Sequence, residues 1–255
     1  MIDSFLQQIL VGFFVGSIAG VLGSLMIIKR MALVSGPLGH LALPGVALSL
    51  VYNFNMFLGA LLSILAGSIV IWILKIISKL HLEVLVGIVF ASFVALGFLF
   101  LPMEHAEEAL VGNILKINLS DLLISFLVWL IGLFVLWKIY SKMILLGISE
   151  ELAKNEEIHP KKYYLIYLVL IALICALSVK IIGILLTAAL TILPAVFANN
   201  LSRNINQYFI ISFLGGGIGT SLGILLSKFF SLPAGPLIIL IFATLFVISL
   251  IFKRK

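Results

Sequence analysis

Long apolar runs alternate with short polar connections along the whole chain. Each run is about 17 to 24 residues long, enough for a helix to cross a hydrocarbon core of roughly 30 Å. The pattern predicts an all-α, polytopic membrane bundle of eight or nine transmembrane helices, with the turn at 178–183 as the weakest boundary. The predicted spans are residues 5–28, 33–52, 56–74, 84–101, 119–137, 163–179, 181–199, 206–226 and 233–252.

Composition agrees with a membrane location. Hydrophobic residues make up 63% of the 255 positions and charged residues 10%, against roughly 45–50% and 25% in soluble domains. The first run lacks a basic flank and a cleavage site, so we interpret it as a retained helix. The single cysteine, Cys175, excludes a disulfide framework within one chain. Because most connections are short, we predict one transmembrane domain over residues 1–255.

Basic residues collect on one side of the predicted membrane. If the N-terminus is outside, the outer side keeps only Lys116, Lys180 and Lys228, and the other lysines and arginines lie inside. The positive-inside rule therefore predicts an outer N-terminus and a cytoplasmic C-terminus in a prokaryotic cytoplasmic membrane. This distribution also explains the net charge of +6 without nucleic acid.

The second span contains the first candidate for a functional site, His40. Counted from Arg30, it lies about 15 Å deep, where an ionisable residue is costly and usually functional. Gly36, Pro37 and Pro44 surround it and predict a broken helix with exposed carbonyls. Imidazole is the commonest metal ligand among side chains, but a histidine hydrogen-bonded between packed helices is the open alternative.

A second interruption is predicted at Pro194, about 14 Å deep in the seventh span. Thr187 and Thr191 precede it within two turns, where their hydroxyls can satisfy carbonyls freed by the proline. A place for these residues on a solute pathway is the alternative.

Acidic side chains and one imidazole cluster in the predicted outer connection before the fifth span. Such a group concentrates divalent cations by its field and by weak coordination, although a solvated loop has the same composition. The members are Glu104, His105, Glu107 and Glu108.

Motifs of catalysis are absent from the sequence. It contains no nucleophile elbow, no H-E-x-x-H and no nucleotide-binding P-loop. The predicted span interiors also lack the buried acid that proton- or sodium-coupled carriers usually need. Energy for transport is therefore expected from elsewhere.

The long inner connection, residues 141–162, is amphipathic. Ile148, Leu152 and Ile158 are set among charged residues, which predicts a short helix on the cytoplasmic face that docks a partner; a solvated linker is the alternative.

Five segments carry a resemblance to a known family. They are GVLGSLMIIKRMALVSGPLGHLALPGVALSL across the first two spans, EEALVGNIL before the fifth, SEELA in the inner connection, VKIIGILLTAALTILPAVFA at the seventh and LPAGPLIIL at the ninth. Together they resemble the membrane subunits of ATP-binding-cassette importers for divalent metals, the zinc and manganese permease family.

The resemblance implies a permease subunit that is not itself an enzyme and works by alternating access. Two copies would form a homodimer with two cytoplasmic ATP-binding subunits, and an extracytoplasmic metal-binding lipoprotein would deliver zinc, manganese or iron. The metal would be cargo, with no permanently bound cofactor. The contact with the ATP-binding subunit would use Ser149, Glu150, Glu151, Leu152, Ala153 and Glu157.

Two positions depart from that family's pattern. Gly36 stands where relatives usually carry an aspartate four residues before the histidine, and Glu157 stands where they usually carry glycine. Without the carboxylate, His40 alone would bind a divalent cation weakly. Two alternatives therefore stay open: a permease of this build for another solute such as a metal chelate, and a membrane scaffold or receptor component that does not transport.

Overall fold

The structure is a computed structural model. It describes residues 4–29, 35–78, 80–101, 104, 106–112 and 114–252, and these ranges contain helices and no strand. A short 3₁₀ turn, Ile114–Lys116, precedes α7. The helices are α1 (Ser4–Ile28), α2 (Ser35–His40), α3 (Leu43–Tyr52), α4 (Met56–Ser78), α5 (Leu82–Phe100), α6 (Ala106–Val111), α7 (Leu119–Ile148), α8 (Glu150–Asn155), α9 (Pro160–Leu201), α10 (Ile205–Phe230) and α11 (Ala234–Ile251).

The first helix, α1, is mostly buried and defines the two faces of the bundle. We call the face where α1 begins the N-side and the face where it ends the C-side. α10 runs antiparallel to α1, because Gly12 packs against Thr220 while Gly20 packs against the Ser212 carbonyl. Small residues let the two backbones approach closely, as is usual for helices in lipid. α10 therefore begins on the C-side.

α7 runs parallel to α1. The Trp129 indole donates to the Ser17 hydroxyl at 2.9 Å, and further along both helices the Ser24 and Tyr140 hydroxyls are 2.9 Å apart. α7 continues to Ile148 and so extends past residue 137, the predicted end of the membrane span. Lysines interrupt the hydrophobic run there, but Met143 stays fully buried on the inner face of the same helix.

The long helix α9 reverses direction at Gly183. Its first segment is antiparallel to α7, since the Lys142 ammonium donates to the Tyr163 hydroxyl on the C-side and Lys180 pairs with Asp121 on the N-side. Gly183 then leaves the helical region with φ 79° and ψ 171°. The second segment, 184–201, ends four residues before α10 begins, and therefore returns to the C-side.

Counting α9 as two crossings and α2 with α3 as one broken crossing gives nine. Seven helices of the described chain are long and apolar enough to span a membrane, with a shorter apolar helix at Gly36–Tyr52 and α9 counted once. The prediction of eight or nine membrane helices is confirmed. An odd number places the two ends of the described chain on opposite sides.

An ion pair that sequence reasoning missed links α9, next to its reversal, to α7. The Lys180 ammonium lies 2.7 Å from both Asp121 carboxylate oxygens, and the two side chains are 20% and 8% exposed. Asp121 also closes a capping box with Asn118 at the start of α7. The N-x-x-D spacing indicates the cap from sequence, but no local pattern indicates a partner 59 residues away.

Candidate functional site

The second membrane crossing is broken at its functional candidate, as predicted. α2 ends at His40, and two turn residues separate it from α3. Pro44 has no N–H to donate to the His40 carbonyl, so this carbonyl lacks its usual helical partner at the break. The Leu41 carbonyl is satisfied from another helix, since the Ser63 hydroxyl of α4 donates to it at 2.6 Å. Pro37 lies in the first turn of α2, where a proline is tolerated.

The imidazole of His40 is half-buried and held by its own helix. Its Nδ1 lies 2.9 Å from the Gly36 carbonyl oxygen. A carbonyl can only accept, so Nδ1 is the donor, and in the neutral imidazole Nε2 then keeps its lone pair. This is the tautomer that a metal ligand needs, with the second nitrogen fixed by a hydrogen bond.

Phe90 of α5 completes the setting of the His40 ring. The ring centroids are 5.4 Å apart and the planes meet at 86°, which is an edge-to-face arrangement. Sequence reasoning missed this residue, because an apolar aromatic in a membrane span carries no local signal of its neighbours.

The broken second crossing packs on the segment of α9 that contains Pro194. The helix continues through Pro194, so the predicted interruption there is not observed; the backbone leaves the helical region at Gly183 instead. A Cβ on Gly36 would have the Ala188 methyl as its nearest neighbour at 3.8 Å, and one on Gly39 would lie 3.4 Å from Thr187. α2 therefore packs on the second segment of α9. Gly36 is open enough to carry a side chain, whereas Gly39 is already in tight contact.

The two threonines near Pro194 bond carbonyls other than the one expected. Thr187 donates to the Gly183 carbonyl at 2.7 Å and Thr191 to the Ala188 carbonyl at 2.8 Å. Pro194 withdraws its donor from the Leu190 carbonyl, but a helical threonine reaches the carbonyls three or four residues before it. Both side chains are buried, and their hydroxyls bond within their own helix.

A complete metal-binding cluster is absent from the described part of this single chain. No three His, Cys, Asp or Glu residues come together there. His40 is the ligand candidate that the structure places at the break, and a full coordination shell there would need backbone carbonyls or groups from elsewhere.

The acidic group before the fifth span is only partly described. Glu104 is exposed, and His105 lies outside the described residues. Glu107 and Glu108 lie in α6, where the structure describes their backbone. Their side-chain arrangement stays a prediction. α6 itself packs on the α9 reversal, because a Cβ on Gly112 would lie 2.5 Å from the Gly183 nitrogen.

The inner connection contains the expected short helix. Ser149 precedes α8 and its hydroxyl accepts from the Leu152 N–H at 3.3 Å. Ala153 is fully buried and Ile158 is 9% exposed, whereas Ile148 and Leu152 are 70% and 53% exposed. The apolar residues therefore divide between the bundle and an uncovered surface on the C-side.

The structure describes the side chains of some acidic residues of this connection and only the backbone of others. Glu151 is exposed, and the Glu150 backbone begins α8. Glu157 is exposed and has φ 56°, in the left-handed region that favours glycine. The backbone turn is kept here although Glu157 carries a side chain.

Comparisons with known proteins agree with one another. The model of the ABC 3 transport family matches residues 1–253. The high-affinity zinc uptake system membrane protein ZnuB of Buchnera aphidicola subsp. Baizongia pistaciae is 30% identical over 256 residues, covering 98% of each chain. The manganese import system permease protein ScaB of Streptococcus gordonii is 29% identical over 256 residues, covering 98% of this chain and 92% of that protein.

A solved structure has the same fold. PsaBC from Streptococcus pneumoniae in complex with Fab matches with a TM-score of 0.85 and 28% identity, over 97% of this chain and 91% of that one.

Proposed function

The chain belongs to the ABC 3 transport family, and we propose that it is the membrane-spanning permease subunit of an ATP-driven importer for zinc, manganese or iron. The observation that carries the substrate class is His40, whose Nδ1 is engaged by its own helix while Nε2 has no hydrogen-bond partner among the described residues. The relatives named as zinc and manganese permeases support the same class.

The metal ion would meet His40 Nε2 at the break between α2 and α3. A single imidazole cannot replace the hydration shell of a divalent cation, so we infer that backbone carbonyls and a second copy of the chain complete its coordination. Gly36, Pro37 and Pro44 shape this site by breaking the helix. Alternating access would then expose the site to each side in turn.

Partners follow from the two faces of the bundle. We infer that residues 1–255 form one transmembrane domain, with the C-side cytoplasmic because lysines concentrate there. Two ATP-binding subunits would hydrolyse ATP and dock on the connection within 141–162, where Ile148 and Leu152 are exposed beside Glu151. A metal-binding lipoprotein would deliver the ion on the N-side, near the acidic group of Glu104.

The direct test is uptake into proteoliposomes that contain the chain and its ATP-binding partner. We expect ATP-dependent accumulation of at least one of zinc, manganese and iron. Accumulation of a metal chelate but of none of the free ions would favour the second solute class. ATP turnover by an assembled complex that moves neither would favour the scaffold.

Gly36→Asp is expected to strengthen the site. A Cβ at Gly36 would have its nearest described neighbour 3.8 Å away, which leaves room to start a side chain, and the carboxylate adds a hard oxygen ligand one helical turn from His40. We expect the KM for metal uptake to fall on the order of tenfold.

The matched control for this variant is Gly36→Asn, which has the same shape without the charge. If both variants change the KM equally, or if neither does, the metal does not pass Gly36.

Phe90→Ala is expected to loosen the His40 ring without removing a ligand. Aromatic edge-to-face pairs contribute about 0.5–1.5 kcal/mol beyond their buried area, so the KM for metal should rise roughly three- to tenfold. Phe90→Trp or Phe90→Tyr, which keep an aromatic ring, should restore most of the affinity. A Phe90→Ala variant with unchanged KM and lowered thermal stability would assign Phe90 to packing alone.

A further inference from the structure

The outward face of α7 carries an apolar stripe that ends in two lysines. Leu127, Ile131 and Phe134 are between 54% and 56% exposed and lie on one side of the helix. Lys138 and Lys142 continue the same side at spacings of four residues, and both are exposed. The apolar part of the stripe suits acyl chains and its end presents two positive charges.

The depth of these lysines corresponds to a lipid headgroup. Asp121 marks the N-side end of the crossing, where it pairs with Lys180. Lys142 is 21 residues further along α7, which is about 31 Å at 1.5 Å per residue and matches the thickness of a hydrocarbon core. The two ammonium groups therefore lie where phosphates of the C-side leaflet begin.

The charges of Lys138 and Lys142 are not neutralised within the described part of the chain. Neither ammonium has a carboxylate at salt-bridge distance there, and the ion pair described is the one between Lys180 and Asp121. Instead, Lys138 lies over the Phe134 ring at 4.5 Å, and Lys142 donates to the Tyr163 hydroxyl at 2.9 Å. These aromatic partners fix the positions of the two ammonium groups without neutralising their positive charge.

The start of α9 extends the same surface. The Lys162 side chain is exposed beside Tyr163, and Trp137 of α7 is 69% exposed at the level of the lysines. Tryptophan and tyrosine are enriched at membrane–water interfaces, because their side chains combine an apolar ring with a polar group that can face water. We call the surface formed by Lys138, Lys142 and Tyr163 the basic rim.

We propose that the basic rim binds the headgroup of an anionic phospholipid, with the acyl chains lying along the exposed stripe of α7. The phosphate accepts hydrogen bonds from the Lys138 and Lys142 ammonium groups, and the Tyr163 hydroxyl orients Lys142. Basic pockets between membrane helices recognise anionic lipids by this combination of charge and apolar surface. The inference concerns lipid binding and does not depend on the metal site.

The test is native mass spectrometry of the purified chain after delipidation, with phosphatidylglycerol or phosphatidylcholine added back. We expect the wild type to retain phosphatidylglycerol preferentially. The double variant Lys138→Gln/Lys142→Gln should lose about thirtyfold in affinity for phosphatidylglycerol, because each lysine near an anionic surface contributes roughly fivefold. Lys138→Arg/Lys142→Arg should keep the preference.

The matched control is Lys75→Gln/Lys228→Gln, which removes two charges elsewhere. Lys75 donates to the Leu80 carbonyl and Lys228 lies over the Phe5 ring, so neither belongs to the basic rim. Equal retention of the two lipids by the wild type, or an equal loss in both double variants, would overturn the proposal. Displacement of phosphatidylglycerol by inorganic phosphate alone would also overturn it, since the site would then recognise a free anion.

Discussion

His40→Ala should lower ATP-dependent metal uptake at low metal concentration by on the order of 100-fold or more. Loss of a group that only orients a metal ligand typically costs 10–100-fold in affinity, and His40 is proposed as the ligand itself. Its Nδ1 is already satisfied by the Gly36 carbonyl, so the variant removes Nε2 and little else. The measurement is the initial uptake rate of radioactive manganese or zinc in proteoliposomes.

Folding and assembly are separated from metal binding by two further variants. His40→Gln keeps a polar side chain of similar length and should lose uptake to a similar extent. His81→Ala removes an exposed histidine that makes no side-chain cap to α5, and it should behave as wild type. All three should assemble with the ATP-binding partner and melt within a few degrees of wild type.

Wild-type uptake in His40→Ala would place the ion path away from the break in α2. The proposed permease function would survive that result, since the variant would still move metal with ATP. Loss of uptake together with loss of the folded complex would mean that the imidazole acts in packing, because Phe90 and the Gly36 carbonyl are its described neighbours.

The number of crossings could be predicted from sequence, because the length of each apolar run is a local property. The break in the second span was predictable for the same reason, since Pro44 removes a backbone donor wherever the chain folds. The reversal at Gly183 was the weakest boundary because apolar residues continue on both sides of it. The structure resolves it through the non-helical backbone of Gly183 and the ion pair of Lys180 with Asp121 of α7.

The surroundings of the candidate site could not be predicted in the same way. Phe90 contacts His40 and Lys180 pairs with Asp121, although the members of each pair are far apart in sequence. Hydrophobic periodicity does not indicate which helices become neighbours. The roles of Thr187 and Thr191 were assigned to the wrong carbonyl because the reach of a helical hydroxyl was overlooked.

Gly183→Val should prevent the chain from folding correctly. The residue has φ 79°, which costs a side chain about 1–2 kcal/mol and more for a β-branched one, and its Cβ would fall on the Leu110 carbonyl of α6. Backbone cannot move aside as a flexible side chain can, so we expect the free energy of unfolding to fall by about 3 kcal/mol or more. The measurement is the yield and melting temperature of detergent-purified protein by fluorescence-detected size-exclusion chromatography.

The matched control is Gly87→Val in α5, where an added Cβ has no neighbour within 4 Å. It introduces the same residue into a membrane helix and should keep most of the yield. Gly112→Ala should resemble Gly183→Val, since Gly112 has φ 77° and its Cβ would lie 2.5 Å from the Gly183 nitrogen. If Gly183→Val and Gly87→Val melt at the same temperature, the close contact between α6 and Gly183 does not determine the stability of the fold. The turn between the two segments of α9 would then not require a residue with positive φ.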